Sequence, residues 1–185
     1  MLPLLAGRFG RPYRHVASCP STQRLLEEDD PEGAVAAADH QTEGRGRLGR
    51  RWEDTAGRSI LVSVLLRPPA PMPLWPQLSL VAGAAVASAL RGETGVDASL
   101  RHPNDVVVSG RKLVGVLPEA RAGRVVLGIG VNVNQVAAEL PADTAKPPTS
   151  LRIEVGRELE RAPLLAAILR ELELGYEAWA EPYRR

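Results

Sequence analysis

Short apolar runs separated by polar, glycine-rich stretches recur along the chain, and their lengths predict several strands. Residues 59–66 (SILVSVLL) are rich in branched side chains and precede two prolines, which predicts a buried strand. Residues 125–133 (VVLGIGVNV) predict a second strand. Residues 33–39 (GAVAAAD) predict a third, although their alanines make the pattern weaker. At least part of the molecule is therefore a β-sheet.

A hairpin and a pair of glycines refine this picture. Residues 106–108 and 112–117 flank Ser109-Gly110, a dipeptide typical of a tight turn between two strands. Gly128 and Gly130 lie inside a predicted strand, where the missing side chains allow close approach. A ligand or another backbone lying against the strand explains them as well as a helix packed on the sheet does, so both interpretations stay open.

Other segments predict helices and one long loop. Residues 78–90 (LSLVAGAAVASAL) are apolar on most faces and predict a buried helix. Residues 162–179 place apolar side chains at helical spacing. Residues 21–28 predict a short helix that begins at two hydroxyl residues, and residues 40–57 predict a loop. The expected fold class is α+β, with a mixed, largely antiparallel β-sheet flanked by helices.

Length and composition fit one globular domain over residues 1–185. The chain is 44% hydrophobic and 24% charged, with no repeat or low-complexity linker. We find no apolar run near the ~20 residues that a membrane span needs, and the amino terminus is a poor signal peptide. Cys19 is the single cysteine, which excludes an intramolecular disulfide framework. A soluble cytoplasmic protein is expected, with no membrane partner.

The basic residues are unusual in kind. The net charge is only +1, which gives no overall attraction to DNA or to an anionic surface. Lys112 and Lys146 are the two lysines, and the other basic residues are arginines. Biased codon usage is the simplest explanation. A lysine that persists against such a bias nevertheless points to chemistry that needs an ammonium group.

A basic, glycine-rich segment, residues 44–52 (GRGRLGRRW), is the strongest candidate for chemistry. Residues 44–51 hold four arginines and no acidic residue, and the glycines let backbone N–H groups face an anion. The pattern G-x-G-x-x-G is present, but no helix pattern follows and no acidic residue lies about 20 positions on, so a dinucleotide fingerprint is rejected. A solvated basic loop or a nucleic-acid patch remains the alternative, with Trp52 able to stack on a base.

A second candidate segment combines a turn with a lysine. Pro103, Asn104 and Asp105 lead into the predicted hairpin, which carries Lys112. Alone, this is a good turn followed by an exposed cation. Together with the arginine-rich loop, a lysine on a rigid strand favours a charge clamp for a phosphate or a carboxylate.

In this order, the segments STQ, HQTEGRGRLGRRW, HPNDVVVSGRKLVGVLPE, GIGVNVN and PPTSL resemble one family, the catalytic domain of bacterial biotin protein ligases. The resemblance extends from about Ser21 to Trp179. It implies the mixed sheet shared with class II aminoacyl-tRNA synthetase cores. It also implies that biotin and ATP form biotinyl-5′-AMP and pyrophosphate, with Mg²⁺ assisting. Biotin would then pass to a lysine of a biotin carboxyl carrier protein of acetyl-CoA carboxylase or a related carboxylase.

The resemblance also implies roles for particular residues. The expected catalytic residues are Lys112, Arg45 and Arg47. The expected biotin-binding residues are Ser21, Thr22, Gln41, Gly44, Arg45, Gly46, Lys112, Gly115 and Gly130. The expected ATP-binding residues are Arg45, Arg47, Trp52, Asn104 and Asn132. No metal ligand is assigned.

These roles suit the chemistry, because a carboxylate must approach the α-phosphate of ATP and cations offset the repulsion between them. Two positions depart from the family pattern. Arg101 stands where lysine is usual, and His102 stands where tryptophan is usual. We expect nucleotide affinity to differ accordingly.

The family's terminal domains are expected to be absent. About 20 residues precede Ser21, fewer than the ~40 that a separate domain usually needs. No DNA-binding domain is therefore expected, and DNA is not an expected partner. Six residues follow Trp179, so the small carboxy-terminal β-domain is not expected either.

Two other functions remain as alternatives. One is a lipoate or octanoate ligase or transferase with the same fold. The acyl transferase would need a cysteine nucleophile, for which Cys19 is the candidate. The other is a non-catalytic nucleic-acid-binding module, which the acidic run at residues 27–30 disfavours. A homodimer is also expected, because residues 59–66 and 125–133 are strands that could leave a sheet edge for a second copy to cover.

Overall fold

The expected mixed sheet is confirmed. The computed structural model describes residues 4–5, 7–142, 144 and 146–184. Its strands are β1 (Tyr13–Cys19), β2 (Val35–Gln41), β3 (Ser59–Leu66), β4 (Ala98–Arg101), β5 (Asp105–Val108), β6 (Arg111–Arg121) and β7 (Arg124–Asn132). Its α-helices are α1 (Leu78–Thr94), α2 (Leu151–Val155) and α3 (Arg161–Ala180). Within the described residues these seven strands form one sheet in the order β1-β2-β3-β7-β6-β5-β4.

The sheet is largely antiparallel, as the hairpin signals indicate. Strands β1 and β2 pair in parallel, and the other five neighbouring pairs are antiparallel. The predicted turn at Ser109-Gly110 joins β5 to β6, and both residues have positive φ angles, of 48° and 76°. Two positive φ values match the twist of the flanking strands. The hairpin that carries Lys112 is therefore tight, and its register shifts at an irregularity between Val106 and Val107, where Val107 pairs with Lys112.

Helices α1 and α3 pack together on one face of the sheet and form the core with it. Leu127, Ile129 and Val131 of β7 belong to this core, together with Val86 of α1 and Ile168 of α3. Because side chains alternate along a strand, the residues between them face the other side of the sheet. That face carries the glycines of β7 and leaves room for a ligand.

The expectation about the sheet edge is wrong. Strand β3 and strand β7, which cover the two apolar runs, pair with each other over eight positions at the centre of the sheet. Every residue of β3 is buried. Continuous apolar runs are typical of strands covered on both faces, and they mark the centre rather than the edge. The outer strands are β1 and β4.

The short helix expected at residues 21–28 is also wrong, because one 3₁₀ turn, Thr22–Arg24, takes its place. Ser21 makes no capping hydrogen bond there. The hydroxyl of Thr22 instead lies 2.7 Å from the hydroxyl of Ser63 on β3. The hydroxyl of Thr22, one of the two residues that suggested a helix start, is therefore used to hold the chain against the sheet.

The sequence suggested that no segment is long and apolar enough to span a membrane, and Met72–Thr94 is an exception. By length and composition alone it could cross one. It consists of a 3₁₀ turn followed by α1, and 56% of its most apolar window is buried inside the fold. Core helices pass the same test, and the contacts of α1 with α3 and the sheet account for its apolar character.

Candidate functional site

A cavity of about 490 Å³ lies on the sheet face opposite α1 and α3. Strands β6 and β7 form its floor. One wall is the connecting segment of residues 41–53, and the other is formed by Pro141, Thr144, Lys146 and Pro148. The cavity lies over the middle of β6 and β7, at Gly115–Leu117 and Gly128–Gly130. The predicted site residues that line it are Ser21, Thr22, Gln41, Arg45, Gly46, Arg47, Trp52, Asn104, Lys112, Gly115, Gly130 and Asn132.

The floor explains two of the glycines. Gly115 of β6 and Gly130 of β7 are paired across the sheet, and the Trp52 indole lies flat against both. A Cβ atom on Gly130 would lie 2.6 Å from Trp52 Cε2, and one on Gly115 would lie 2.7 Å from Trp52 Cζ3. The two glycines therefore form a cradle for a planar group. The side chain of Trp52 is the close neighbour, rather than a helix or another backbone.

Gly44 is the predicted site residue that the described structure does not place in the cavity lining. Its carbonyl oxygen accepts a 3.0 Å hydrogen bond from the backbone N–H of Trp52. A Cβ atom on Gly44 would lie 2.3 Å from the Trp52 carbonyl oxygen. Gly44 thus allows the loop to double back on itself, which brings the indole onto the floor.

At one end of the cavity, buried polar groups hold each other in place. The backbone N–H and the hydroxyl of Thr22 lie 2.7 and 3.2 Å from Gln41 Oε1. With Oε1 engaged, the amide nitrogen of Gln41 is the donor that this side chain offers to a ligand. Ser21 is buried and lines the same end. This end suits a ligand head with both N–H and C=O groups.

Gln23 is a lining residue that the sequence analysis missed. Its Nε2 donates to the carbonyl oxygens of Leu117 and Val126 at 2.9 and 3.4 Å. A Cβ atom on Gly128 would lie 2.9 Å from that nitrogen, so Gly128 makes room for this side chain. Gln23 thereby bridges β6 and β7 and lines the cavity.

The arginine-rich loop is held to the sheet by two polar contacts. Arg45 Nη1 lies 3.0 Å from Glu119 Oε2 on β6. Arg47 Nη1 donates to Asn104 Oδ1 at 3.1 Å. Asn104 in turn donates from Nδ2 to the carbonyl oxygen of Val116. Contacts of this exposed kind contribute little free energy, so an anion can displace them.

A buried carboxylate joins the two lysines of the chain. Asp105 is 5% exposed, its Oδ1 lies 3.0 Å from Lys112 Nζ, and its Oδ2 bonds Lys146 Nζ. Burial raises the pKa of the Asp105 carboxyl, but Lys146 and Lys112 lower it more, so the net pKa is below 3.8. The Asp105 carboxylate is therefore charged and holds two ammonium groups at the cavity wall.

Lys112 also faces the aromatic floor. Its Nζ lies 5.7 Å from the centroid of the Trp52 ring, within the range of a cation–π contact. The ammonium group thus stands between a carboxylate on one side and an aromatic face on the other. A ligand carboxylate or phosphate above the indole would meet this cation directly.

Asn132 lines the cavity, but its amide is used within the protein. Nδ2 donates to the Thr149 carbonyl oxygen at 3.0 Å, and Oδ1 accepts from Gln135 Nε2 at 3.3 Å. Both amide atoms of Asn132 are therefore engaged within the protein, and this structure gives no support to the direct nucleotide contact predicted for it. Its side chain holds the segment that follows Lys146.

The two positions that depart from the family pattern lie apart from this cavity. Arg101 and His102 are both exposed, and neither belongs to the lining among the described residues. Neither side chain contacts the cavity in the described structure, so the expected effect of these two residues on nucleotide affinity stays a prediction.

Cys19 is poorly suited to act as a nucleophile. It is buried, and the described cavity lining does not include it. Burial, and secondarily the negative charge of Asp54, raise the pKa of the Cys19 thiol. Since the thiolate is the reactive form, a raised pKa makes the thiol inert.

The described residues contain no group of three or more histidine, cysteine, aspartate or glutamate side chains that could hold a metal ion. Asp105 is the buried carboxylate of the cavity wall, and lysines occupy both of its oxygens. These residues therefore do not form a metal site of their own.

The family model for the biotin/lipoate A/B protein ligase family matches residues 16–135. Since this match covers more than half of the chain, the protein belongs to that family. The resemblance found in the sequence is thereby confirmed.

Individual relatives narrow the similarity to biotin ligases. The biotin–[acetyl-CoA-carboxylase] ligase of Mycobacterium tuberculosis is 40% identical over 184 residues, covering 94% of this chain and 67% of the relative. The bifunctional ligase/repressor BirA of Bacillus subtilis is 36% identical over 173 residues, covering 89% of this chain and 53% of the relative. The chain thus spans about half the length of the Bacillus relatives it matches.

A solved structure confirms the fold class. The biotin protein ligase from Aquifex aeolicus, in complex with biotin and ATP, superposes with a TM-score of 0.82. It is 34% identical in sequence, and the match covers 91% of this chain and 72% of that one.

Proposed function

We propose that this chain is the catalytic domain of a biotin protein ligase. It would activate biotin with ATP to form biotinyl-5′-AMP and pyrophosphate, and then transfer biotin to a carrier-protein lysine. The observation that carries the proposal is the set of cations gathered at Asn104 and Asp105, beside an aromatic and glycine floor. A ligand that carries a carboxylate or phosphate next to an apolar surface fits this combination.

The proposed reaction begins with the approach of two anions. A biotin carboxylate oxygen attacks the α-phosphorus of ATP, and the bond from that phosphorus to the bridging oxygen of the β-phosphate breaks. Lys112, held by Asp105, would offset the charge that develops on the α-phosphate. Arg45 and Arg47 would exchange Glu119 and Asn104 for the substrates' carboxylate and phosphate oxygens.

The polar end of the cavity would hold the biotin ring system. The fixed amide of Gln41 would donate to the ureido oxygen, and the hydroxyls of Ser21 and Thr22 would bond the ureido N–H groups. Such a site discriminates against lipoate and octanoate, which have no ureido group and would leave buried polar groups without partners.

Magnesium belongs to the proposal as a companion of the nucleotide. Mg²⁺ is usually bound through one or two carboxylates together with substrate phosphates and waters. Because both oxygens of Asp105 already bond lysines, the described residues do not fit a protein-held ion, and no step is assigned to one.

The alternatives receive less support. A cysteine-dependent acyl transferase would need Cys19, which is buried and has a raised thiol pKa. A nucleic-acid module would use the loop arginines as free surface cations, yet Arg45 and Arg47 are turned towards the cavity.

A thermal-shift comparison of biotin, lipoate and octanoate, each with MgATP, separates these functions. We expect biotin with MgATP to raise the melting temperature most. If lipoate or octanoate raised the melting temperature and biotin did not, the substrate would be that acid and the biotin assignment would be wrong. Stabilisation by DNA or RNA alone, declining steeply with salt, would support the nucleic-acid alternative.

We further propose a cytoplasmic homodimer whose carrier partner belongs to acetyl-CoA carboxylase or a related carboxylase. ATP consumption and a single free thiol support the cytoplasm. The two outer strands, β1 and β4, each have one side without a strand partner among the described residues, which supports association through a sheet edge.

A further inference from the structure

Three cations from separate parts of the chain converge on one dipeptide at the cavity wall. Asn104 accepts from Arg47, and the Asp105 carboxylate bonds both Lys112 and Lys146. The sequence motifs account for Arg47 and Lys112. Lys146 lies 34 positions beyond Lys112 and has no role in the proposed reaction so far.

The backbone holds Lys146 in place next to Lys112. The Lys112 N–H donates to the Pro147 carbonyl oxygen at 2.8 Å, and the Thr149 N–H donates to the Lys112 carbonyl oxygen at 2.8 Å. Asn132 bonds the Thr149 carbonyl oxygen as well. The segment after Lys146 is thus attached to the residue that carries the other ammonium group, which keeps both lysines at the same carboxylate.

The charges at this wall exceed what a biotin carboxylate needs. Two ammonium groups share one carboxylate, which leaves a net charge of +1, and Arg47 adds another because its partner Asn104 is neutral. Biotin brings one negative charge, whereas the triphosphate of ATP brings several. Lys146 is about 30% exposed and lines the cavity, so an anion can reach it.

We propose that Lys146 binds the β- and γ-phosphates of ATP and stabilises the pyrophosphate as it leaves. When the biotin oxygen bonds to the α-phosphorus, the bond to the bridging oxygen breaks and its electron pair stays on pyrophosphate. The ammonium group of Lys146 would then stabilise the negative charge that develops on the leaving pyrophosphate, while Lys112 stabilises the charge on the α-phosphate. This inference rests on the proposed function and extends it to the leaving group.

The test compares ATP with AMP, which lacks the β- and γ-phosphates. Calorimetric titration with each nucleotide, in the presence of Mg²⁺, is carried out on the wild type and on Lys146→Met. We expect the substitution to weaken ATP binding about tenfold or more and to leave AMP binding unchanged, because one charge-assisted contact is lost. Equal losses for ATP and AMP, or no loss for either, would overturn the proposal.

Matched variants separate charge from fold. Lys146→Arg keeps a cation and should retain most of the ATP affinity, whereas Arg157→Met removes a cation from an exposed position and should change neither affinity. Because Asp105 still bonds Lys112 in Lys146→Met, the fold should persist, which circular dichroism checks. Loss of ATP affinity in Arg157→Met equal to that in Lys146→Met would also count against a specific role.

Single-turnover kinetics distinguish this inference from the proposed function. In Lys146→Met we expect slower pyrophosphate release from biotin and ATP, with unchanged transfer from supplied biotinyl-5′-AMP to a carrier protein. Transfer that slows equally would contradict a leaving-group role. A wild type that releases no pyrophosphate would refute the proposed function, and the comparison of ATP with AMP would still decide whether Lys146 binds the distal phosphates.

Discussion

Asp105 is a negative charge at a site where the proposed chemistry needs positive charge. Its single carboxylate fixes the positions of two ammonium groups, so one positive charge remains in excess. The carboxylate is almost fully buried, while its lysine partners are each about a third exposed. Preorganised cations cost no reorganisation when charge develops in a transition state. The buried carboxylate thus makes Lys112 a rigid electrostatic group.

Replacing Lys112 with alanine tests this rigid group. We expect adenylate formation to slow by ~10²–10³, the usual effect of losing one preorganised donor, with the fold unchanged. Single-turnover pyrophosphate release measures the rate. Lys112→Arg should restore it only in part, because a guanidinium fork is bulkier than an ammonium group. An unchanged rate in Lys112→Ala would remove Lys112 from the reaction.

The charge on Asp105 also predicts a pH dependence of stability. A carboxyl whose pKa is lower in the folded chain stabilises the fold above its ordinary pKa near 3.8 and loses this contribution as pH falls through the folded value. We expect Asp105→Asn to be less stable than the wild type by about 1–2 kcal/mol at pH 7, since partly exposed lysines limit the effect.

Urea unfolding between pH 7 and pH 3 measures this difference. The stabilities of wild type and Asp105→Asn should converge as the pH falls below 3.8. A difference that stays constant over the whole range would show that the Asp105 charge does not stabilise the fold.

The sequence predicted most of the residues around the cavity but not how they touch. Motif spacing identifies Lys112, Asn104 and Trp52. It does not show that Trp52 lies on Gly115 and Gly130, because that contact depends on how the loop folds back. Lys146 was visible as one of two lysines in an arginine-rich chain, yet its contact with Asp105 spans 41 positions and required the fold.

At the scale of the structural elements, the loop over residues 41–52, which contains the basic segment 44–52, lies between the cavity and the solvent. Its contacts to Glu119 and Asn104 are single, exposed and individually weak. Four arginines close together repel one another until an anion is bound, so we predict that biotin and MgATP order the loop. An ordered loop would also keep water away from the reactive mixed anhydride.

Limited trypsin digestion tests the loop. Cleavage after the loop arginines should slow when biotin and MgATP are both added. Cleavage after Arg157, which is exposed in the turn between α2 and α3, serves as the control and should keep its rate. Equal cleavage of the loop with and without ligands would contradict the prediction.

The elements themselves could be predicted where the pattern is strong. Strand β3 has the expected bounds, and β7 and α3 differ from expectation by about one residue at their ends. Strands β1 and β4 were missed because outer strands carry exposed polar residues and give little apolar signal. Residues 21–28 failed as a helix because tertiary hydrogen bonds used the hydroxyl expected to cap it.

At the scale of the whole molecule, one sheet face carries the main core, and the other carries the site beside a smaller buried cluster that includes Leu65 and Val126. Helices α1 and α3 cover the first face, while glycines at positions 115, 128 and 130 clear space on the second. Substrates that bind over the strands leave the outer strands β1 and β4 accessible. Association through a sheet edge is therefore compatible with catalysis.

Multi-angle light scattering tests the proposed homodimer. We expect a mass of two chains at micromolar concentration, since pairing of outer strands satisfies exposed backbone groups. Dilution should shift the mass towards that of one chain. A single-chain mass throughout the concentration series would contradict the homodimer without affecting the proposed reaction.

The central claim is that this cavity joins biotin to AMP. Mixing the protein with biotin and MgATP, and measuring pyrophosphate together with the nucleotide product by mass spectrometry, tests it most directly. We predict biotin-dependent pyrophosphate release with one equivalent of biotinyl-5′-AMP retained on the protein, and none with lipoate or octanoate. Pyrophosphate release that is independent of biotin, or that requires lipoate instead, would contradict the account.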